Sequence, residues 1–276
     1  MDKQMSFWDH LDALRKVLFN IIILFAIIAV SMFIAMPWIF DNIIMAPCSP
    51  SFVTYSAFDR IAETLGFDGL ATGDSFKVNI VSIQLASQFF IHMSAACWAS
   101  LVIAFPFVIY MIWKFVSPGL YENERKGARA AFFFGNIMFY LGASVGYLLI
   151  FPLSVRFLAS YQLSASIEPI VSLDSYMDTF FMMLLCMGAV FELPLFAYLL
   201  GKIGLLHRSF FSAYRRHAIV ALLLLAAIIT PTSDPFTLIL TFTPIYALWE
   251  LSSRLVPAEK PESEDEPASP SPQTVS

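Results

Sequence analysis

Four long apolar runs constrain what this chain can fold into more than any other feature. They cover residues 17–36, 89–113, 132–151 and 179–201, and polar side chains within them are few. At ~1.5 Å per residue, a helical run of about 20 residues crosses the ~30 Å hydrocarbon layer of a membrane. The sequence therefore predicts an all-α integral membrane protein whose first span is retained rather than cleaved.

The overall composition agrees with this prediction. Of the 276 residues, 58% are hydrophobic and 13% are charged, whereas soluble domains average roughly 45–50% and about 25%. The net charge is −5, and residues 257–276 supply most of it, so the remainder carries no basic surface for nucleic acid. The three cysteines have no CxxC spacing, which predicts neither a disulfide framework nor a zinc site.

Two shorter apolar runs, at 218–230 and 236–249, follow the four long ones. Their length alone leaves open whether they cross a thinned bilayer or dip into it and return. The sequence Pro-Thr-Ser-Asp-Pro between them predicts a tight turn, so the two runs form a hairpin in either case. Residues 257–276 are rich in Pro, Ser and Glu, a composition that predicts a disordered tail after a membrane domain at 1–256.

The basic residues predict the orientation in the membrane. With the N-terminus inside, only three of the 16 Lys and Arg residues fall in outside segments, namely Arg60, Lys77 and Arg156. Basic residues concentrate in cytoplasmic loops of membrane proteins. We therefore expect both termini, and the loop between the second and third runs, to be cytoplasmic.

That loop, Ser117–Arg125, combines a Pro118-Gly119 turn with two carboxylates, Glu122 and Glu124. The turn holds both carboxylates at the membrane edge, on the same side as the amphipathic lead-in to the first run. Spacing alone leaves two interpretations open. The charges form either an ordinary wetted interface or a binding site.

Glu192 is the one carboxylate inside an otherwise uncharged span. A charged group at that depth costs at least ~2.5–3.5 kcal/mol, so we expect it to face protein or water. It either bonds backbone groups freed by Pro194 or faces a partner or substrate. A proton-coupled small-molecule transporter that uses Glu192 is an alternative function, although the chain lacks the paired half-repeats typical of many transporters.

Other features favour packing over chemistry. The Gly142-xxx-Gly146 spacing allows another helix to approach closely, and His92 is expected to pack. No nucleophile and base pair, metal-ligand cluster or phosphate-binding glycine loop is present. We therefore predict no catalytic residue, no metal, no cofactor and no enzymatic activity.

Several short motifs occur in the order of a known family. They are His10-Leu11-x-x-Leu14-Arg15, Phe115-x-Ser117-Pro118-Gly119-Leu120-Tyr121-x-x-Glu124-Arg125, Phe151-Pro152-Leu153, Phe191-Glu192-Leu193-Pro194, and Ile229-Thr230-Pro231 with Asp234. Over residues 6–256 the chain resembles the TatC family, the polytopic subunit of the twin-arginine (Sec-independent) protein translocase. The resemblance implies six transmembrane helices in a concave bundle, the last two short, in a bacterial inner membrane.

The resemblance also implies a function without covalent chemistry. Family members bind the twin-arginine signal sequences of folded precursors at the cytoplasmic face. By resemblance Glu124 is the principal arginine acceptor, and Arg15 and Phe115 belong to the recognition region. The implied partners are these signal peptides, single-span subunits of the TatA/TatB type, membrane lipid and further copies of the chain. A structural scaffold without a ligand remains a third possibility.

Further roles follow from the same resemblance. Glu192, with Phe191 and Pro194, matches the family's membrane carboxylate on the concave face. Pro47 matches a position in the first outside loop, and Asp234 is expected to cap the final hairpin. Pro118 belongs to the turn that precedes the arginine acceptor.

One position departs from the family pattern. The family usually has an acidic residue directly before Leu14-Arg15, and this chain has Ala13 there, with Asp12 one residue earlier. One residue is about 100° of rotation on a helix, so Asp12 does not occupy the same face. We hypothesise that Glu122 supplies the second carboxylate.

Overall fold

The computed structural model describes residues 7–64, 78–119, 122–161, 164, 170–202, 204–230 and 234–256. Within these ranges the chain forms ten α-helices and two short strands. The tail predicted to be disordered, residues 257–276, lies outside the described residues.

The first apolar run lies within one long helix, α1 (Phe7–Ile39). The helix begins well before the run because the amphipathic lead-in contains no Gly or Pro that would stop it. It continues into a π-helical turn at Phe40–Ile44, a 3₁₀ turn at Ala46–Cys48 and a helix α2 (Val53–Thr64). Many apolar side chains of α1 are exposed, and Ile34 is 76% exposed, as expected of a helix that faces lipid.

The second and third runs form two long helices joined by a tight turn. Helix α3 (Ser87–Val116) ends in a 3₁₀ turn at Ser117–Gly119, and α4 (Glu122–Val145) follows. Helix α4 continues through a π-helical turn at Gly146–Ile150 into α5 (Phe151–Ser160). The third span is therefore longer than the apolar run predicts.

The third apolar run stops at Phe151, and a proline follows it, but Pro152 does not end the helical path. Pro152 lies in the first turn of α5, where a residue's N–H has no partner within the helix, so proline is tolerated there. The π-helical turn before it closes through a bond from Phe151 N to Gly146 O. The helical path thus continues past the proline to Ser160.

The fourth run is divided into two helices. Helix α6 (Leu173–Val190) ends at a turn formed by Phe191 and Glu192, and α7 (Leu193–Lys202) follows directly. Gly204 has a φ of 78°, a left-handed conformation that favours glycine. The short helix α8 (Arg208–Ala213) comes next.

The two last apolar runs form an antiparallel hairpin of α9 (Arg215–Ile229) and α10 (Pro235–Leu255). An ion pair between Arg215 and Glu250 joins the start of α9 to the end of α10. Helix α9 has 15 residues, but α10 has 21, so the prediction that both are short is wrong for α10. The apolar run of α10 stops at Trp249. The polar segment after it begins with Glu250, which pairs with Arg215, and this partly buried segment stays helical.

The helices define two ends of the molecule. One end, which we call the near end, holds the start of α1, the end of α3, the start of α4 and the end of α7. The Nζ atom of Lys202 reaches α4 at Gly127, which places the end of α7 beside the start of α4. The far end is opposite, and it holds the connections between α1 and α3 and between α5 and α6.

Two short strands pair at the far end. Strand β1 (Asn79–Val81) and strand β2 (Ile170–Ser172) run parallel, with Ile80 opposite Val171. The all-α prediction from the sequence includes no strand. Strands of three residues leave too short an alternation to recognise, and the partner lies far along the chain.

Helices α4 and α6 pack closely through glycines. A Cβ atom at Gly142 would lie 2.5 Å from the backbone oxygen of Met187, and one at Gly146 would lie 3.1 Å from that of Met183. From the opposite helix, a Cβ at Gly188 would lie 2.7 Å from the ring of Phe139. The predicted close approach at Gly142 and Gly146 is thus present, and α6 is the helix that makes it.

Four helical stretches in the described ranges are long and apolar enough to cross a membrane. They are Leu11–Ala57, Ser87–Val116, Arg129–Ser160 and Leu173–Lys202. The α9–α10 hairpin packs against α7 through α10, although neither of its helices is among the four.

Prolines interrupt the backbone bonding of these long helices, and side chains from other segments replace the lost bonds. Proline has no N–H, so the carbonyl four residues earlier loses its helical donor. Pro37 frees the carbonyl of Phe33, which bonds His92 Nε2 at 2.8 Å. The carbonyl has no hydrogen, so Nε2–H must donate.

Three more carbonyls follow the same rule. Each lies four residues before a proline and accepts a hydroxyl bond. The pairs are Ile43, before Pro47, with Tyr147 Oη at 2.8 Å; Val102, before Pro106, with Tyr140 Oη at 3.1 Å; and Leu148, before Pro152, with Thr54 Oγ1. Since a membrane offers no water to such groups, these bonds tie the helices together at fixed heights.

Candidate functional site

The near-end turn brings the second and third spans together at the loop singled out from the sequence. Ser117 is buried and Pro118 is exposed. Helix α4 begins at Glu122, so positions 122 and 124 both lie in its first turn. Leu120, Tyr121 and the side chains of Glu122 and Glu124 lie outside the described part of the chain.

The start of a helix is a favourable place for carboxylates. The unpaired backbone N–H groups and the helix dipole give this end a partial positive charge. Positions 122 and 124 differ by about 200° around α4, since each residue turns about 100°. The two carboxylates therefore start from opposite sides of the helix.

The predicted recognition residues of α1 are exposed at the same end. Asp12 and Arg15 lie on the helical lead-in, and the Arg15 guanidinium stacks on the ring of Phe19 at 5.6 Å. Ala13 is half-buried, and so is Phe115 in the last turn of α3. For the part of the chain that the structure describes, neither Asp12 nor Arg15 makes an ion pair.

Glu192 is buried, with 7% of its surface exposed. It lies in the turn between α6 and α7, where its N–H donates to Ala189 O at 3.1 Å and its own carbonyl accepts from Phe196 N. Among the described residues, its Oε1 atom has no hydrogen-bond partner. A buried polar atom left in that state costs about 1–3 kcal/mol, more if charged.

A glycine on α4 makes room for this carboxyl group. A Cβ at Gly135 would lie 3.0 Å from Oε2 of Glu192 and 2.6 Å from Cδ2 of Leu195. Gly135 lies seven residues before Gly142, two helical turns along the same face of α4. Gly135 is not among the residues predicted from the sequence, although its seven-residue spacing from Gly142 indicates a shared helix face.

The residues beside Glu192 are part of the core. Phe191 and Pro194 are both buried, and a Cβ at Gly142 would lie 2.7 Å from Cβ of Phe191. Pro194 frees the carbonyl of Val190, which receives no side-chain donor from the described residues. The sequence interpretation in which the Glu192 side chain bonds backbone groups freed by Pro194 therefore finds no support in the described contacts.

Two far-end residues predicted to be structural take part in backbone bonding. Pro47 is fully buried, and its carbonyl accepts from Tyr55 Oη at 2.5 Å. Tyr55 also donates to Pro152 O at 3.2 Å. Asp234 precedes α10, and its Oδ1 accepts from Thr237 N at 2.8 Å, the geometry of an N-cap.

An ion pair lies at the near end beyond the last apolar runs. Arg215 Nε donates to Glu250 Oε1 at 2.9 Å, and Tyr246 Oη donates to the same oxygen at 2.9 Å. These donors, Arg215 first, lower the pKa of the Glu250 carboxyl below its ordinary value. The described residues contain no group of three His, Cys, Asp or Glu side chains that could hold a metal ion.

The motif order and the helical arrangement match one protein family. A family model described as "Sec-independent protein translocase protein (TatC)" matches residues 9–244. The chain belongs to the TatC family.

Curated TatC proteins are similar over nearly the whole length. TatC of Deinococcus radiodurans is 33% identical over 264 residues, covering 95% of this chain and 90% of that protein. TatC of Blattabacterium sp. subsp. Periplaneta americana is 30% identical over 254 residues, covering 90% and 94%.

Solved TatC structures share the fold. A crystal structure described as the twin-arginine translocase receptor TatC in DDM has a TM-score of 0.71 at 25% identity, covering 90% of this chain and 99% of that one. A second TatC crystal structure has a TM-score of 0.68 at 26% identity. As a TatC-family protein with several apolar helices, the chain is a multi-pass membrane component of Sec-independent protein transport, and nothing in these comparisons supports the small-molecule transporter.

Proposed function

We propose that this chain binds twin-arginine signal sequences of folded precursor proteins at its near end and scaffolds assembly with single-span subunits of the TatA/TatB type. The observation that carries the proposal is the position of Glu124 in the first turn of α4, the helix that follows the 3₁₀ turn at Ser117–Gly119. By family resemblance, this is the acceptor of the signal's arginines. The solved relative described as a twin-arginine translocase receptor supports the same role.

The chemistry of the signal suits this position. An arginine guanidinium is planar and bonds a carboxylate through two parallel N–H groups, whereas lysine offers only a point charge. A carboxylate at a helix start also gains from the helix dipole, which favours a negative charge there. Arg15 and Phe115, exposed and half-buried at the same end, complete the proposed recognition surface.

The proposal includes the orientation and surroundings of the chain. We place it in the bacterial inner membrane with six crossings, both termini cytoplasmic and no covalent chemistry. The near end, rich in basic residues, then faces the cytoplasm. Further copies of the chain and surrounding lipid complete the assembly.

Binding of a precursor to the full chain in detergent tests the recognition site. We expect Glu124→Ala to weaken binding of a twin-arginine precursor at least tenfold, because a charge-assisted bond is lost. A twin-lysine version of the same signal should bind the unmodified chain far less. Equal capture of both signals would defeat the proposal and leave a scaffold without a ligand.

The second carboxylate is a separate hypothesis, motivated by Ala13. Glu122 replaces the missing acid if the signal wraps the start of α4, because positions 122 and 124 lie on different sides of that helix. Asp12, exposed on α1, is the competing candidate. If Glu122→Gln leaves precursor affinity unchanged and Asp12→Asn lowers it, the role belongs to Asp12; unchanged affinity in both variants removes the need for a second acid.

Glu192 is the proposed membrane contact for a partner helix. Its buried Oε1 has no partner among the described residues, so a donor from a single-span subunit gains a bond without displacing an existing one. Phe191 and Pro194 hold the turn that presents it. We expect Glu192→Ala to reduce co-purification of the single-span subunits while leaving signal capture at the near end intact, and unchanged co-purification would remove Glu192 from the interface.

A further inference from the structure

A groove lies at the far end, between the end of α1 and the starts of α3 and α6. It has a volume of about 360 Å³, and apolar side chains such as Met36 and Ile91 form part of its lining. Three polar residues share the same space, namely Asp41, Gln88 and His92. Asp41 and Gln88 are exposed, so the groove is open to the surroundings of the molecule.

The groove lies at the height where lipid headgroups begin. Trp38, next to Pro37 of the groove, is 64% exposed, and exposed tryptophan is typical of the membrane–water boundary. Because α1 runs toward the far end and α3 runs away from it, Asp41 and Gln88 mark the outer part of the groove. Met36 lies deeper, so the polar part faces the headgroups and the apolar part faces the hydrocarbon.

The polar groups of the groove favour a cation. An ionised Asp41 carboxylate only accepts hydrogen bonds, and the amide of Gln88 offers an accepting oxygen. His92 uses its Nε2–H for the Phe33 carbonyl, so the neutral ring retains only an acceptor at Nδ1. The described residues that line the groove include no Lys or Arg. An anionic group would therefore meet no positive charge there.

The acceptors at the outer part of the groove are available to a ligand. Neither the carboxylate of Asp41 nor the amide of Gln88 makes a hydrogen bond or ion pair with another described residue. Asp41 also belongs to the π-helical turn Phe40–Ile44, and turns of this kind are rare and frequent at functional sites. A donor from outside the chain would thus gain bonds without breaking existing ones.

We propose that this groove binds a phospholipid whose headgroup ends in a primary ammonium group. Such a group carries one positive charge and three N–H donors, which match the Asp41 carboxylate, the Gln88 amide oxygen and the His92 ring. The glycerol and first acyl carbons lie along the apolar lining. Because Asp41 follows α1 and the other two residues belong to α3, the bound headgroup joins these two helices.

Three lipids with identical acyl chains test this preference on the full chain by native mass spectrometry. Phosphatidylethanolamine has the ammonium donors, phosphatidylcholine has the charge without N–H donors, and phosphatidylglycerol has no cationic group. We expect phosphatidylethanolamine to bind about fivefold more tightly than either, or better, because charge-assisted bonds remain substantial at a partly exposed site. Equal affinities for phosphatidylethanolamine and phosphatidylcholine would overturn the proposal, and so would a preference for phosphatidylglycerol.

A matched pair of variants assigns the preference to the groove. Asp41→Asn removes the charge at constant size and should lower the affinity for phosphatidylethanolamine about threefold or more. Asp178→Asn makes the same change at an exposed position of α6 outside the groove, and we expect it to bind like the unmodified chain. An equal loss in both variants would assign the effect to net charge and overturn the site.

The opposite wall of the groove gives an independent measurement. Gln88→Leu removes an acceptor and should weaken binding of phosphatidylethanolamine, whereas Gln88→Glu adds a second carboxylate and should strengthen it. Position 88 is exposed, so we expect both variants to fold, and thermal unfolding in lipid-free detergent checks this. Weaker binding in Gln88→Glu than in Gln88→Leu would contradict the proposal.

An amino group of a partner protein is the competing occupant, and the same variants separate it from lipid. If phosphatidylethanolamine and phosphatidylcholine bind equally and Asp41→Asn lowers co-purification of the single-span subunits, the groove belongs to a protein and the lipid proposal is overturned. If Asp41→Asn abolishes the lipid preference while precursor capture at the near end persists, the lipid site stands, whatever the outcome for the proposed recognition function.

Discussion

The far and near ends of the molecule are held together in different ways. At the far end, tyrosine hydroxyls bond carbonyls of distant segments, as Tyr176 does with Ile44 at 2.6 Å and Tyr55 with Pro152 at 3.2 Å. Ser87 Oγ donates to the Asp174 carboxylate at 2.7 Å, joining the starts of α3 and α6. Strand pairing adds a further connection.

The near end relies on fewer such bonds among the described residues. The Arg215–Glu250 pair with Tyr246 joins α9 to α10, and a small apolar cluster of Ala197, Phe211 and Val256 packs beneath it. Asp12, Arg15 and Lys202 remain exposed there.

The difference separates two tasks. Bonds to buried backbone carbonyls fix the helices relative to one another at the far end. Exposed charges on separate helices leave the near end able to exchange one ionic partner for another, which the proposed recognition of signal sequences would use. Four predictions test this division.

The largest effect is expected where α4 and α6 touch. Gly142→Ala would force a methyl group to within 2.5 Å of a backbone oxygen, which cannot move without shifting α6, and we expect a loss of about 3 kcal/mol or more in unfolding free energy. Gly127→Ala is the matched control on the same helix, because its Cβ meets only the flexible end of Lys202. Thermal unfolding in detergent measures both, and equal destabilisation would contradict the comparison.

Removing one hydroxyl at each end should have unequal consequences. Tyr55→Phe leaves two carbonyls of buried prolines without their donor, and we expect a loss of about 1–3 kcal/mol. Tyr246→Phe removes one bond to the partly exposed Glu250, and the loss should stay below about 1 kcal/mol. Precursor binding should persist in both variants. A larger loss of stability in Tyr246→Phe than in Tyr55→Phe would contradict the difference between the two ends.

Replacing the histidine within the membrane tests the proline rule. His92→Phe keeps ring stacking on Phe33, whose centroid lies 4.1 Å away, but removes the donor to the Phe33 carbonyl. We expect a loss of about 0.5–2 kcal/mol, since intramembrane hydrogen bonds contribute modestly. His217→Phe, at an exposed near-end position, is the control, and an equal loss there would mean that the bond contributes nothing.

The smallest effect concerns acid. The pKa of Glu250 is lowered in the folded chain by the Arg215 guanidinium. The stabilisation is therefore complete above the ordinary carboxyl pKa of ~4.3 and is lost as pH falls through the lowered value. We expect the melting temperature of the unmodified chain to decrease slightly below about pH 4, and Glu250→Gln should reduce this decrease. An identical pH profile in the variant would show that the solvated ion pair does not contribute to stability.

The helices could be predicted from the sequence because each run carries its own signal of length and polarity. The ends of the helices could not be predicted in the same way. Proline is tolerated in the first turn of a helix, where Pro152 lies, and the π-helical turn before it has no recognisable sequence pattern. The end of α10 was missed for a similar reason. The first polar residue after its apolar run, Glu250, pairs with Arg215, which precedes it by 35 residues.

The candidate site divides in the same way. The depth of Glu192 followed from the apolar run around it. Its unpartnered oxygen depends on how α4 lies against the turn, which no local pattern encodes, whereas the seven-residue spacing of Gly135 and Gly142 indicates the face of α4 that makes room for it. The ammonium of Lys202 beside Gly127 was missed for the same reason, because two residues far apart in the sequence meet only after α4 and α7 pack.

The carbonyls freed by proline also have a consequence for how the chain is made. Synthesis proceeds from the N-terminus, so the Phe33 carbonyl enters the membrane before His92 exists, and Ile43 enters before Tyr147. Each carbonyl lacks its side-chain hydrogen-bond donor until a later segment of the chain has been inserted. The first helix is therefore an incomplete structure during biogenesis, and an attached water, lipid headgroup or insertion factor must satisfy it until α3 and α4 are in place.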